Sequence, residues 1–374
     1  MRKSLRIITA GTLAALLAAT TAAPALAAGS PVAGSPVTGS PVQASLDVLT
    51  GQDGVPGAAA VVQDGARTRV TRSGTGDVTT GKPFPRNGSF RAGSVTKTFV
   101  ATVVLQLVGE GRVKLDAPVS QYLPGLLPDH RITVRQLLQH TSGLYNYTDD
   151  LDLSDPEALR HRGAEPAELV AMALKHPALF PPGTGWSYSN TNYIVAGMLV
   201  ERVTGQPLET SIAHRITRPL GLRETYLPRR GDEKLPSPHP VGYASIAGRL
   251  VDFSDFDATI AGAAGGLVST PADLDRFYGA LLGGRLLRPA ELTEMRRTVP
   301  AELGVPGARY GLGLGSIPVS CGQFWGHEGG IIGFTNLAGV GPGGRRATVV
   351  LNENPTPAET SGHLLAAMDA AVCS

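Results

Sequence analysis

The chain has 374 residues, of which 42% are hydrophobic and 17% charged, with a formal net charge of +2 at pH 7. So even a balance leaves no concentrated basic face, which argues against nucleic acid as a partner. No cysteine pair or His-Glu-x-x-His spacing appears, and no Gly-rich loop heads a helix, so metal and nucleotide chemistry are not supported and no cofactor is expected.

In chain order, Arg2, Lys3 and Arg6 precede an apolar run from Ile7 to Ala19 and then Ala25-Leu26-Ala27. This pattern predicts a cleavable secretory signal over residues 1–27 and an exported, extracellular protein. The apolar run is too short to span a bilayer and nothing later is long enough either, so no membrane span is expected in the mature chain. Residues 28–43 hold three copies of Gly-Ser-Pro-Val, too poor in buriable surface to fold, and read as a spacer. The folded domain is then expected over 44–374, a length that suggests two lobes or a large insertion in one.

Gly57 to Gln63 and Arg67 to Ser73 read as a hairpin turning at Asp64-Gly65. From Ser94 to about Phe277 the pattern is mainly helical, with long Pro/Gly-rich connections such as Leu227 to Val241. Three further strands are predicted at 324–327, 331–340 and 346–352, with a turn at Gly341-Pro342-Gly343-Gly344, before a last amphipathic helix over 357–372. Strands at both ends with helices between them imply an α+β fold. One antiparallel sheet is built from the two termini and flanked by helices, with a mainly helical lobe inserted. Cys321 and Cys373 are the chain's two cysteines. In an exported protein they are expected to pair, two buried free thiols being the alternative.

The chemistry begins at Ser94-Val95-Thr96-Lys97, where an apolar run (Phe99, Val100, Val103, Val104, Leu107) is about to become a helix. Serine and lysine three residues apart share one helix face, giving a hydroxyl a basic partner. With 22 serines and six lysines, Ser-x-x-Lys arises by chance about 0.35 times, so its weight comes from companions. These are Tyr188-Ser189-Asn190, ahead of a second apolar helix, and His327-Glu328-Gly329-Gly330 between two β-like runs.

Ser-x-x-Lys, Tyr-x-Asn and a basic residue followed by x-Gly, in this order, resemble the motif set of penicillin-recognising serine hydrolases. The resemblance is to the branch with class C β-lactamases, secreted D-alanyl-D-alanine carboxypeptidases and related esterases. It extends over about residues 44 to 374, through 137–144 (LLQHTSGL), Pro182-Gly183-Thr184, Gly265 to Thr270 and Tyr310-Gly311-Leu312-Gly313-Leu314. It implies the β-lactamase/transpeptidase-like fold, with the site in the groove between sheet and lobe. It further implies an acyl-enzyme on Ser94, proton shuttling by Lys97 and Tyr188, and Asn190 holding Lys97 and the substrate. Oxyanion donors would be the backbone N–H groups of Ser94 and Gly330, with Gly329 and Glu328 beside them. His327, where many relatives carry lysine, is expected to act as a cation that favours a Tyr188 phenolate, so that turnover falls above about pH 7. His140 reads as part of a packed turn, and Tyr145 and Tyr193 as packing residues.

The expected substrate is a small peptide, ester or amide, and the expected assembly a monomer. D-Ala-D-Ala carboxypeptidase activity fits the resemblance best, with esterase, amidase or β-lactamase activity on the same scaffold as alternatives and a non-catalytic binding protein as the remaining one. One departure bears on the substrate. The carboxypeptidases hold a terminal carboxylate with hydroxyl side chains on this strand and a nearby arginine, whereas this chain has Glu328, Gly330 and Leu314-Gly315-Ser316-Ile317-Pro318 there.

Overall fold

The computed structural model describes residues 39–151, 156–246, 248–356 and 359–374. The proposed signal segment and most of the spacer lie outside the described residues. The spacer's last copy of the repeat does not stay extended, however. Ser40 caps a helix, Pro41–Gly51, its hydroxyl accepting from the Gln43 N–H, and Pro41 sits in the first turn where a missing N–H costs nothing. Residues 41–43, expected in the spacer, therefore belong to the fold, with Val42 buried in the core.

Among the described residues twelve strands are formed: β1 (Gly57–Asp64), β2 (Arg67–Gly74), β3 (Phe90–Arg91), β4 (Tyr243–Ile246), β5 (Arg249–Asp252), β6 (Val268–Ser269), β7 (Val299–Pro300), β8 (Arg309–Tyr310), β9 (Gly315–Val319), β10 (Gly322–Ile331), β11 (Phe334–Val340) and β12 (Arg346–Leu351). Eight make one sheet in the order β2-β1-β12-β11-β10-β9-β8-β7, each neighbouring pair antiparallel. The β1–β12 pairing, Ala58 opposite Leu351, joins the two ends of the chain as expected. The sheet is larger than expected because β7, β8 and β9 extend it beyond β10. Ile331, read as the start of a strand, instead ends β10, and β11 begins after the turn at Gly333.

The central strands are buried on both faces, and their alternation sorts the core. Ala58, Ala60, Val349, Leu351 and Leu337 face the two terminal helices, Pro41–Gly51 and Thr360–Cys373. Ala59, Val350, Ala338 and Phe334 face the opposite way, where helix Pro271–Leu282 covers β11 and β12. Beyond it lies the lobe around helix Thr96–Gly109, in which residues 96–105 and Leu107 are all buried. A helix apolar on every side has to be surrounded. Helices Asn190–Thr204, Gly262–Gly265 and Pro289–Met295 are among those that do so.

Cys321, in the turn entering β10, is disulfide-bonded to Cys373 at the end of the last helix, with Cα atoms 5.6 Å apart. The bridge closes a loop across a separation of 52 residues, which constrains the unfolded chain by about 4 kcal/mol on the entropic account. A Cys321→Ala, Cys373→Ala double variant is therefore expected to fold but to lose roughly 2–4 kcal/mol of stability in urea unfolding. An unchanged midpoint would show that the bridge contributes nothing.

Candidate active site

Ser94 sits in a short 3-10 turn, Gly93–Val95, that runs straight into helix Thr96–Gly109. That turn is pressed against β10. Gly93 has φ +54, and a Cβ there would lie 2.9 Å from the backbone of Gly330, so only glycine fits by both conformation and space. Gly329 is equally constrained, since its Cβ would lie 2.1 Å from the Ala92 carbonyl oxygen. The Asn336 amide donates to the carbonyls of Ala92 and Gly329 and ties the two backbones together. From the other side, the Thr96 hydroxyl donates to Gly93 O at 2.7 Å and accepts from the Leu267 N–H at 3.0 Å.

Lys97 is fully buried. Its Nζ lies 2.9 Å from Ser94 Oγ and donates to Asn190 Oδ1 at 2.7 Å and to the Ala264 carbonyl at 2.7 Å. No carboxylate is among these partners, and burial pushes the amine's pKa well below the ordinary lysine value. Asn190 is itself held, its Nδ2 donating to Thr148 Oγ1 and its backbone N–H to Asn146 Oδ1. The second motif thus anchors the first across two helices. The Tyr188 ring centroid lies 4.8 Å from Lys97 Nζ. Burial raises the Tyr188 pKa far above that of a free phenol, and only the hydrogen bond to the Ser94 hydroxyl opposes the shift.

His327 corrects the expectation of a cation. It is buried, its Nδ1–H donates to the Glu328 carbonyl at 2.5 Å, and Nε2 accepts from the Tyr310 hydroxyl at 2.8 Å. Desolvation, the largest cause, pushes its pKa down to about 3. The ring is therefore neutral at physiological pH and does not favour a Tyr188 phenolate. The predicted fall in turnover above pH 7 has no basis in this imidazole.

Glu328 lines the same cavity as Ser94, Tyr188, His327 and Gly330. Its pKa is raised by desolvation alone, and it forms no ion pair among the described residues. No lysine or arginine lines the cavity, and Gly315 and Ile317 stand where the arginine of the carboxypeptidases would fall. Tyr193 donates to the Leu138 carbonyl and Tyr145 stacks on His176, both as packing residues.

His140 does more than fill a turn. It is the C-cap of helix Val134–Gln139 at φ 61, accepts from the Ser189 N–H through Nδ1, and lies 4.3 Å, ring to ring, from Tyr188. It fixes the segment that carries the phenol. Tyr310 and the Ala264 carbonyl were not anticipated as site members. Tyr310 stood in a recognised landmark, but nothing in the sequence pairs it with His327, and a backbone carbonyl leaves no sequence signal.

A sequence-family model described as Beta-lactamase matches residues 42–371. The chain belongs to the beta-lactamase family of serine hydrolases. Solved structures similar to this chain include a D-stereospecific amidohydrolase from Streptomyces sp., 39% identical with a TM-score of 0.81, the match covering 89% of this chain and 98% of that one. Another is D-amino acid amidase from Ochrobactrum anthropi SV3, 29% identical with a TM-score of 0.80 over 88% and 96% of the two chains. By sequence, penicillin-binding protein 4 of Amycolatopsis lactamdurans is 31% identical over 69% of each chain. Esterase EstB of Burkholderia gladioli is 37% identical, but the match spans 45% of this chain and 46% of the esterase.

A neutral buried histidine is an acid-side liability. The unfolded imidazole takes a proton near pH 6.5 and the folded His327 near 3, so stability is present above 6.5 and declines as pH falls through that window. At pH 4.5 the cost is about 2–3 kcal/mol. His327→Gln should therefore show a smaller stability loss between pH 7 and 4.5 than wild type in thermal or urea unfolding. Identical losses would mean that His327 is not held neutral.

Proposed function

We propose that the protein is an exported serine hydrolase that forms an acyl-enzyme on Ser94 and acts on small amides or esters rather than on carboxylate-terminated peptides. The observation that carries the reading is the uncharged hydrogen-bond set around Lys97. Asn190 Oδ1 and the Ala264 carbonyl can only accept. A neutral amine donates its two N–H bonds to them and turns its lone pair toward the Ser94 hydroxyl.

In this reading Ser94 Oγ passes its proton to Lys97 Nζ as it attacks the substrate carbonyl, and the backbone N–H groups of Ser94 and Gly330 receive the oxyanion. The Tyr188 phenol, still protonated because it is buried, gives its proton to the departing nitrogen or oxygen. The phenolate left behind faces the newly formed Lys97 ammonium, which returns the proton. Water then attacks the ester by the same route in reverse, which restores Ser94 and releases an acid.

The preference for amides and esters rests on the cavity wall. A carboxypeptidase has to neutralise the carboxylate of the departing residue. Here that wall offers a carboxylate and no cation, which favours the amidase and esterase alternative. A carboxylate about 4 Å from Glu328 would cost of order 4 kcal/mol at an effective dielectric of 20. Similarity to a D-stereospecific amidohydrolase, a D-amino acid amidase and an esterase supports the same direction.

A fluorophosphonate probe should label wild type and not Ser94→Ala, while fluorescent penicillin, which bears a carboxylate, should label poorly. Amino-acid amides and short esters should be hydrolysed in preference to D-Ala-D-Ala peptide. Efficient penicillin labelling with peptide cleavage would favour the carboxypeptidase instead, and no labelling by either probe a binding protein. Lys97→Met should lower kcat by about 10²–10⁴, the usual share of a general base, with unchanged far-UV circular dichroism. Activity within threefold of wild type would remove Lys97 from the proton path.

A further inference from the structure

Two cavities meet at Ser94, Asn190 and Gly330. The smaller, about 230 Å³, is walled by Tyr147, Leu151, Leu159, Phe253, Phe256 and Ile331. The larger, about 620 Å³, contains Tyr188, His327 and Glu328 near Ser94, and continues to Leu303, Val305, Ile317, Leu364 and Leu365. Proton transfer assigns the two sides. The leaving group has to receive its proton from Tyr188, which borders only the larger cavity, so the leaving group departs there and the acyl side chain occupies the smaller, apolar one.

Glu328 is then a charge on the leaving-group side. It has no salt-bridge partner among the described residues, its neighbour His327 is neutral, and no lysine or arginine lines that cavity. On the amidase and esterase reading above, we propose that Glu328 makes the larger cavity a subsite for leaving groups that carry a positive charge. Amides or esters of diamines and of ammonium-bearing alcohols are the chemical class. The scissile nitrogen or oxygen would lie at Tyr188 and the cationic end against the Glu328 carboxylate, with intervening methylene or ring carbons on the apolar wall. An anionic leaving group meets the same field with opposite sign, and a neutral one is indifferent to it.

The test uses the full chain at pH 8 with three benzyl esters of one apolar D-amino acid, identical except for a neutral, a 4-carboxy or a 4-(trimethylammoniomethyl) substituent on the leaving alcohol. Wild type should show kcat/KM for the cationic ester at least tenfold above the neutral one, and the neutral one at least tenfold above the anionic. Glu328→Gln should compress all three to within about threefold of one another, the ratio within each protein being the readout. Adding 0.5 M salt to wild type should also shrink the cationic preference, since ions screen the attraction, a measurement that needs no variant. Equal ratios in wild type, or ratios unchanged by both salt and Glu328→Gln, overturn the subsite while leaving the hydrolase reading standing. No turnover of any of the three esters by wild type overturns the hydrolase reading and the subsite with it.

Discussion

An amine buried without a counter-charge is the constraint from which the rest of the site follows. Lys97 lies on a helix apolar all round, so its charged form would have to be carried by dipoles alone. The protein supplies three neutral partners and no anion, which favours the free base. The same apolar enclosure keeps Tyr188 protonated and His327 neutral. Three titratable side chains, Lys97, Tyr188 and His327, are thus gathered with no net charge among them at rest. Such a site can make and discharge a charge pair during one turnover at small cost in reorganisation.

The geometry is held mainly by backbone contact. Gly93 against Gly330, and Gly329 against Ala92, let a turn of the helical lobe touch a strand of the sheet with nothing between. Asn336 reaches from β11 to close the contact. Larger side chains at Gly93 or Gly329 would part the two segments and with them the two amides proposed to receive the oxyanion.

Much of this was legible in the sequence, and what was not has physical reasons. The Ser-x-x-Lys spacing, the Tyr-x-Asn segment and the His-x-Gly strand are local patterns, and the fold gathers Ser94, Lys97, Tyr188, Asn190 and His327 at one place. The charge on His327 was misread because it depends on burial by segments far away in sequence, Tyr310 and the lobe among them. Strands β7 and β8 are two residues each, too short for any periodicity to show. The first helix lay inside a repeat whose Ser-Pro also suits a helix start. Glu328 could be seen at its position, but its exposure to the groove depends on which face of β10 looks inward.

The sheet is sewn from both ends of the chain, and this has a consequence for when folding can occur. Hairpin β1–β2 meets its inner neighbour β12 only through residues 346–351, so during synthesis the inner edge of β1 stays unpaired until those residues have been made. Pairing so distant in sequence is slow to form. The sheet therefore cannot be completed by any part of the chain made before residues 346–351.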